Sequence, residues 1–400
     1  MMTLPPCRPL ASGVSCLWDP VKRVPPLLRI GWVPRRQVAP TPSSREVAVQ
    51  FRHEYLLLTD LDLSGNWGMK FEYDGPHLVS VELRGPTTQE VELGHKAATT
   101  WCTVRSEQEP PPKIRSMFES LAKGFMPKGS AKAEGFDVDE IDAEGRFKYI
   151  PFHLLPDAFR SFSDRALFEH SDHARRTVRV LRWRHGTCGS PRALACSGSL
   201  CSLDGIDWMH MPEGIRLQLG GSEPSGFLVY PSVRNQVEEM VRQGTDEPIG
   251  HELFGEAWEQ LMGSSRSALI MGMAAVEAGF KQCVATLVPD AAWLADNLPS
   301  PPIERMLREY LPGLPVRLSI DGKPPRIPEA ILAKLKEGTA LRNRVVHVGA
   351  STIDGEKLVD LLIAIRDVLW ILDYCCGQEW ALSHLSWDTK RDLGLVHGRA

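Results

Sequence analysis

The chain has 400 residues, of which 43% are hydrophobic, and a formal net charge of −4. Its length is sufficient for two or three domains, each with its own hydrophobic core. The slightly acidic balance excludes a chain-wide attraction to nucleic acid or anionic membranes, so any nucleic-acid chemistry would need a local site.

The nine cysteines are odd in number, scattered, and without a C-x-x-C pair. This pattern disfavours a disulfide framework or a structural zinc site and predicts reduced thiols in a cytoplasmic protein. Cys375 and Cys376 are adjacent in an apolar run, so we expect both to be small core residues.

Residues 1–45 are predicted to be a disordered Pro/Arg-rich tail. The first 44 residues contain six Lys or Arg and a single acidic residue, Asp19, together with many prolines. This composition is typical of a transit peptide, but the prolines would break the amphipathic helix that such a peptide needs. A tail, or translated upstream sequence, is therefore the preferred interpretation.

Residues 46–245 are predicted to be a mixed, β-rich α+β region of one or two units, with a break near 106–135. Short β-rich runs read EVAVQF, NWGMKFEY, HLVSVELRG and TTWCTV, separated by Asp, Gly and Pro. Helices are predicted at KIRSMFESLAKGF and HLLPDAFRSFSDRALFEH, and further strands at RTVRVLRWRH, IDWMHM, GIRLQL and GFLVY. The sequence does not indicate a role for this region.

Two stretches of this region contain residues with chemical potential, but structural interpretations are preferred for both. His170 and His173 have no third metal ligand at a recognisable spacing, so we expect two surface histidines. Residues 182–185 alternate basic and aromatic groups, as in a platform for single-stranded nucleic acid, but a half-buried strand alternates in the same way. The stretch WRHGTCGSPRALACSGSLC matches no common zinc motif and is predicted to be a loop between strands.

Residues 246–380 show four successive helical patterns, so the predicted fold class is a multidomain α+β protein that ends in an all-α helical bundle. The most apolar stretch, residues 267–288, is interrupted by Glu277 and Lys281, so we expect no membrane span. The final helix, GEKLVDLLIAIRDVLWILDYCCG, has an apolar stripe too broad for one neighbouring helix. Such a helix is either central to its bundle or shared with a second subunit, and we expect a homodimer. Residues 381–400 are predicted to be a C-terminal tail.

The helix before the final one ends with LRNRVVHVG at residues 341–349. At about 100° per residue, Arg342, Asn343 and His347 span an arc of about 140°, and Asn343 and His347 are one turn apart. These three side chains would line one groove. We expect Leu341, Val345 and Val346 on the packing side of the helix and Arg344 on the solvent side.

An α-helical bundle with an Arg, a polar residue directly after it, and a His after four to six intervening residues resembles the HEPN superfamily, and RNRVVH matches with four intervening residues. The earlier apolar helix RSALIMGMAAVEAGFKQ, with its single acidic residue Glu277, is similar to another helix of that superfamily. The resemblance covers roughly residues 248–378 and does not extend to the N-terminal region.

The resemblance implies metal-independent RNA cleavage, of the toxin or defence-effector type, in a composite cleft at a dimer interface. By carry-over, His347 would be the general acid or base, Arg342 would stabilise phosphate charge, and Asn343 would orient the His or the phosphate. Glu277 would pair with Arg342, although Lys281 at i+4 is an equally good partner. The implied partners are RNA, a second copy of the chain, and a regulatory protein such as an antitoxin. Neither a cofactor nor a metal is implied.

Two alternatives remain open. Residues 246–400 contain 16 Lys or Arg and 21 Asp or Glu, whereas an avid RNA binder is usually basic. The domain would then be a noncatalytic dimerisation or binding module attached to a ligand- or protein-sensing N-terminal region. In the plainest alternative, Arg342 forms an ion pair at the edge of the core and His347 is simply a helix-end residue.

Overall fold

The computed structural model describes much of the chain after residue 47. The described residues are 48–57, 61–62, 68–73, 76–85, 87, 92, 100–131, 152–187, 194–212, 227–228, 233–297, 302–348 and 353–396. The predicted tail at residues 1–45 and the predicted strand at 214–219 lie outside them. Residues 46–400 form one compact unit.

The strands are β1 (Val49–Leu57), β2 (Leu61–Asp62), β3 (Met69–Tyr73), β4 (Val79–Arg84), β5 (Thr100–Gln108), β6 (Leu194–Ser202), β7 (Met209–His210) and β8 (Phe227–Leu228). The helices are α1 (Pro112–Ala122), α2 (Asp157–His185), α3 (Arg234–Arg242), α4 (Ile249–Gln260), α5 (Ser265–Leu287), α6 (Ala292–Asn297), α7 (Ile303–Arg305), α8 (Glu329–Val348), α9 (Gly355–Cys375) and α10 (Trp387–Asp392). Helix α7 continues into the π-helical turn Met306–Tyr310 and the 3-10 turn Leu311–Gly313.

Six strands form an antiparallel sheet in the order β3-β4-β5-β1-β6-β7, and β2 pairs in parallel with β8. Buried and less buried residues alternate along β1, β3 and β4, as expected for strands with one face on a core. The four β-rich runs after residue 46 become β1, β3, β4 and β5. The β-rich N-terminal part of the predicted α+β layout is therefore confirmed, and its strands form an antiparallel sheet.

Strand β6 corrects the prediction of a loop across residues 183–201. Residues 194–202 pair with β1 along most of its length, with a register shift between Glu54 and Tyr55. The strand consists mostly of Ala, Cys, Ser and Gly, which give little local β signal. Pairing with β1 and β7, rather than intrinsic propensity, determines its conformation.

The predicted strand at residues 176–185 is wrong, because α2 continues through these residues and ends at Gly186, whose φ is 66°. Alternating Thr, Val and Arg residues imitate a half-buried strand in this stretch. Ala174, Val178 and Leu181, however, share one helical face and are buried in the main hydrophobic core. The strand platform considered for residues 182–185 is therefore absent.

Helix α2 contacts two parts of the fold along its length. Near its start, Phe159 and Phe162 pack with Phe118 of α1, at ring-centroid distances of 4.7 and 6.2 Å, in a cluster that includes β1. At its other end, Trp183 is buried among the helices of the C-terminal half. One rigid helix thus links the sheet to the helical half.

The C-terminal half of the described chain is mostly helical, and α4, α5, α8 and α9 lie close to their predicted positions. Ser264 caps α5 by accepting a hydrogen bond from the Ser267 backbone N–H, and Asp354 caps α9 by accepting from the Glu356 and Lys357 backbone N–H groups. Helix α5 packs against α4, α8 and α9. The predicted boundary near residue 246 falls in the link between α3 and α4, and buried side chains on both sides belong to one cluster.

Helix α5 is long and apolar enough to cross a membrane, with a mean hydropathy of 1.3 over its best 18 residues. Within the fold, 56% of that stretch is buried. This arrangement is typical of the core helix of a soluble protein.

The broad apolar surface of α9 is covered within the chain itself. Trp370 is 3% exposed, and its ring lies 4.1 Å from that of His251, 4.8 Å from that of His384 and 5.8 Å from that of Trp380. The helix is therefore central to its own fold, which was one of the two predicted alternatives. Its apolar width does not by itself require a second subunit.

The segment predicted to be a C-terminal tail begins with ordered, docked residues. A 3-10 helix spans Glu379–His384, and Ala381 and Leu385 are buried. Thr389 Oγ1 donates a hydrogen bond to Asp367 Oδ2 at 2.6 Å, and Ser386 also donates to this carboxylate. These bonds fix residues 379–392 against α9.

Candidate functional site

The RNRVVH motif lies in the last two turns of α8, whose opposite face is fixed by close packing. Ile331, Leu332 and Leu335 are buried. A Cβ added at Gly338 would lie 2.7 Å from Leu361 Cδ2 and 3.1 Å from Met273 Sδ, so α8 approaches α5 and α9 closely here. This packing sets which side of the helix can face solvent.

Arg342 lies at the edge of this packed face and pairs with Glu277 of α5. Its Nη1 atom is 3.8 Å from Glu277 Oε1, within ion-pair range but too long for a direct hydrogen bond. The Glu277 side chain is 12% exposed and that of Arg342 is 29% exposed. The structure thus brings together two residues that the sequence analysis proposed as partners, because a buried carboxylate requires a compensating charge.

Asn343 and His347 are exposed, one helical turn apart, on the solvent side of α8. Arg344 is exposed as predicted, and Val345 is buried as predicted. Val346 corrects the prediction for the packing side, because it is 53% exposed. Together, Arg342, Asn343 and His347 form an arc that runs from the edge of the core to open solvent.

No family model matches this chain, and no curated protein and no solved structure matches it either. The likeness to the HEPN superfamily therefore rests on the motif and its setting alone.

A second polar site, missed by the sequence analysis, lies where α2, α4, α5 and α9 meet. We call it the inner cavity. It consists of two neighbouring cavities of about 20 and 140 Å³ that share Trp183 and His251 in their walls. A cavity of the larger size can hold a small organic molecule.

Three side chains from distant parts of the sequence form the polar wall of the inner cavity. Trp183 Nε1 donates a hydrogen bond to Asp373 Oδ2 at 2.8 Å, and His251 Nε2 lies 2.8 Å from the same oxygen. All three residues are at least nine-tenths buried. The carboxylate therefore has two nearby nitrogen groups to compensate its burial.

Glu247 is a further titratable group in the wall of the smaller cavity. Desolvation raises the pKa of Glu247 to about 7, and the charges of His251 and Arg182 act in the opposite direction. The carboxyl group thus changes its charge near neutral pH, which is a frequent property of functional sites.

The predicted pair of surface histidines at 170 and 173 is also corrected. His170 is fully buried, with its Nδ1 2.6 Å from His53 Nδ1 and its Nε2 2.7 Å from Ser106 Oγ. Burial lowers the pKa of His53 to about 4 and holds that of His170 well below its usual value, with the neighbouring His53 adding to the effect. These imidazoles are neutral, hydrogen-bonded links between the sheet and α2. Among the described residues, no group of His, Cys, Asp and Glu is arranged to hold a metal ion.

Sequence signals for these buried sites are weak but present. Asp373 is an acidic residue inside the apolar run WILDYCC, which suggests a buried carboxylate that needs a partner. Its partner Trp183 is 190 positions away, and the intervening sequence gives no indication of the pairing.

Proposed function

We propose that the chain is a HEPN-like endoribonuclease that cuts RNA without a metal ion, at the arc of Arg342, Asn343 and His347. The observation that carries the proposal is the increase in solvent exposure from Arg342 to Asn343 and His347. Arg342 is held from inside by Glu277, while Asn343 and His347 face solvent one turn apart. A guanidinium held by an ion pair and an accessible imidazole on the same helix end are groups that phosphodiester transfer can use.

In the proposed reaction the ribose 2′-hydroxyl attacks the adjacent phosphorus and the 5′-oxygen of the next nucleotide leaves. His347 takes the proton of the attacking hydroxyl, and the leaving oxygen acquires a proton, so the products are a 2′,3′-cyclic phosphate and a 5′-hydroxyl. Arg342 binds the non-bridging oxygens, whose charge increases in the transition state. Asn343, able to donate and accept, orients the imidazole or the phosphate.

Local charge supports this location on a chain that is acidic as a whole. Helix α8 contains four Lys or Arg and two Glu, whereas residues 246–400 have a net charge of −5. A phosphate would therefore meet a more favourable local field on this helix than the net charge of residues 246–400 suggests.

The proposed assembly remains a homodimer with a composite cleft, in which the α8 arcs of two copies face one another. Since α9 is covered within the chain, the exposed end of α8 is the better candidate for the contact. Residues 46–245 are proposed to sense a ligand or a protein partner, such as an antitoxin.

The alternative function is a noncatalytic dimerisation or binding module, and one observation favours it. Val346 is 53% exposed, and the helical phase places it between Arg342 and Asn343 on α8. An exposed aliphatic side chain between polar ones is suited to packing against a second copy.

The test is incubation of purified protein with a mixed RNA pool in EDTA, followed by analysis of the new RNA ends. We expect cleavage with cyclic phosphate ends, reduced at least about 100-fold by His347→Ala. Arg342→Lys is expected to be similarly damaging, because a point charge cannot replace the planar fork.

Arg344→Ala is the matched control, since Arg344 is exposed on the same turn but lies outside the proposed arc. Loss of all activity in EDTA, or equal activity in the His347→Ala variant, would contradict the nuclease proposal. Absence of cleavage with a dimer that the Val346→Asp variant dissociates would instead support the noncatalytic alternative.

A further inference from the structure

Two thiols meet in the wall of the larger part of the inner cavity. Cys283 lies in the last two turns of α5, and Cys376 directly follows α9. Cys283 Sγ is 3.9 Å from the carbonyl oxygen of Leu372, one turn before Cys376. The Cys376 backbone N–H donates a hydrogen bond to the same carbonyl oxygen at 3.0 Å. Both cysteines thus adjoin the Leu372 carbonyl group at the α5–α9 contact and line the same cavity.

A cation is fixed beside Cys376. Arg317 Nη1 donates a hydrogen bond to the Cys376 carbonyl oxygen at 3.1 Å, and its Nη2 donates to the Thr286 carbonyl oxygen at 3.3 Å. The neighbouring Cys283 thiol and the charge of Arg317 lower the pKa of the Cys376 thiol, although burial and Asp373 oppose them. The interaction with Cys376 and burial together raise the pKa of Cys283. Cys376 is therefore the better nucleophile of the two thiols.

Access also distinguishes Cys376 from other cysteines in the described part of the chain. Cys102, Cys201 and Cys375 are fully buried. Cys376 is half-buried and lines a cavity that opens toward solvent. Burial raises the pKa of Cys375 to about 12, so the residue adjacent in sequence is a poor thiolate.

We propose that Cys376 and Cys283 form a peroxide-reactive thiol pair, in which Cys376 is oxidised first and Cys283 then closes a disulfide between α9 and α5. In the first step the Cys376 sulfur attacks one oxygen of hydrogen peroxide, the O–O bond breaks, and a sulfenic acid and water form. In the second step the Cys283 sulfur attacks the Cys376 sulfur and displaces the sulfenic hydroxyl as water. The peroxide is reduced by two electrons, and the two thiols supply them.

The disulfide would alter the inner cavity directly, because both sulfur atoms are part of its wall. It would also tie the end of α9 to the helix that contains Glu277. The proposal does not depend on RNA cleavage, so its test is independent of the nuclease experiment.

The experiment treats the reduced full-length protein with hydrogen peroxide, alkylates the remaining thiols, and maps the nonreduced digest by mass spectrometry. We expect a peptide cross-linked between Cys283 and Cys376. In the Cys283→Ser variant, dimedone should trap a sulfenic acid at Cys376 at least about tenfold faster than at Cys375.

Cys375→Ala is the matched control, because it removes the adjacent sulfur and should leave the cross-link intact. Cys376→Ser should abolish the cross-link. A wild-type protein in which Cys376 remains fully alkylated, or links to a cysteine other than Cys283, would overturn the proposal. The wild-type map alone is decisive if a variant does not fold.

Discussion

The arc on α8 and the inner cavity place polar residues in opposite settings. In the arc, Arg342, Asn343 and His347 lie within six positions and face increasingly toward solvent. In the cavity, Trp183, His251 and Asp373 come from three distant segments and are buried. Exposed polar groups are free to bind a substrate but contribute little to folding, whereas buried ones must satisfy each other. Substitutions in the arc are therefore best tested by measuring activity, and substitutions in the cavity wall by measuring the free energy of unfolding.

The largest expected effect is that of Asp373→Ala on stability. The substitution leaves the Trp183 N–H group buried without its acceptor and removes the carboxylate that lies 2.8 Å from the buried His251 Nε2. We expect a loss of about 3–5 kcal/mol in the free energy of unfolding, measured by urea denaturation. Asp360→Asn is the control, because Asp360 is exposed and its nearest cation, Lys334, is 3.9 Å away. Equal stability of the two variants would show that the cavity wall is not a structural unit.

Acidification should produce the next largest effect, because neutral histidines are buried between the sheet and α2. The pKa of His53 falls from 6.5 to about 4 on folding, so the unfolded chain binds the extra proton first as the pH decreases. The contribution of His53 to the free energy of unfolding is fully present above pH 6.5 and is lost as the pH falls toward 4. At pH 5, His53 alone accounts for a loss of about 2 kcal/mol relative to pH 7.5.

His170, His185 and His384, whose pKa values are also lowered by burial, act in the same direction. Urea midpoints measured from pH 7.5 to 5 check the trend. The His53→Gln variant should have a flatter dependence on pH, and an unchanged slope would contradict the assignment to His53.

A smaller effect is expected where α8 is packed most closely. Gly338→Ala gains about 1 kcal/mol of helix propensity but places a methyl group 2.7 Å from Leu361 Cδ2, which costs about 1–3 kcal/mol. We therefore expect a net loss of about 1 kcal/mol in thermal or urea unfolding. Gly355→Ala is the control, because a Cβ there meets no atom within 4 Å. Stabilisation by Gly338→Ala would mean that α8 moves away from α9 easily.

The smallest effect on stability is expected in the arc itself. Asn343→Ala and His347→Ala should each change the free energy of unfolding by less than about 0.5 kcal/mol, because both side chains are exposed. Calorimetry on the two variants checks this. A loss above 1 kcal/mol at His347 would favour its interpretation as a structural helix-end residue.

The same contrast explains how much the sequence could predict. Strands β1, β3, β4 and β5 and the main C-terminal helices were predicted because their signals are local periodicities and caps. The motif was located correctly on its helix for the same reason. The predictions for strand β6 and for the second half of α2 are wrong because strand pairing and helix packing override the local preferences of these residues.

The inner cavity was missed because its chemistry depends on long-range contacts. Trp183 and Asp373 are 190 positions apart, and Cys283 and Cys376 are 93 apart. A single sequence contains no signal for such pairings. Cys375 is buried as predicted, but its neighbour Cys376 lines the cavity. The two differ because α9 ends at Cys375, and the sequence does not indicate that end.

Helix α2 has a mechanical consequence for the molecule. With 29 residues it is about 43 Å long, and it has Phe159 near one end and Trp183 near the other. A helix of this length acts as a lever, since a tilt of about 5° about its start displaces its far end by about 4 Å. Such a displacement exceeds the 2.8 Å bond between Trp183 and Asp373. A movement of the sheet that is barely detectable at Phe159 would therefore break the cavity wall at Trp183.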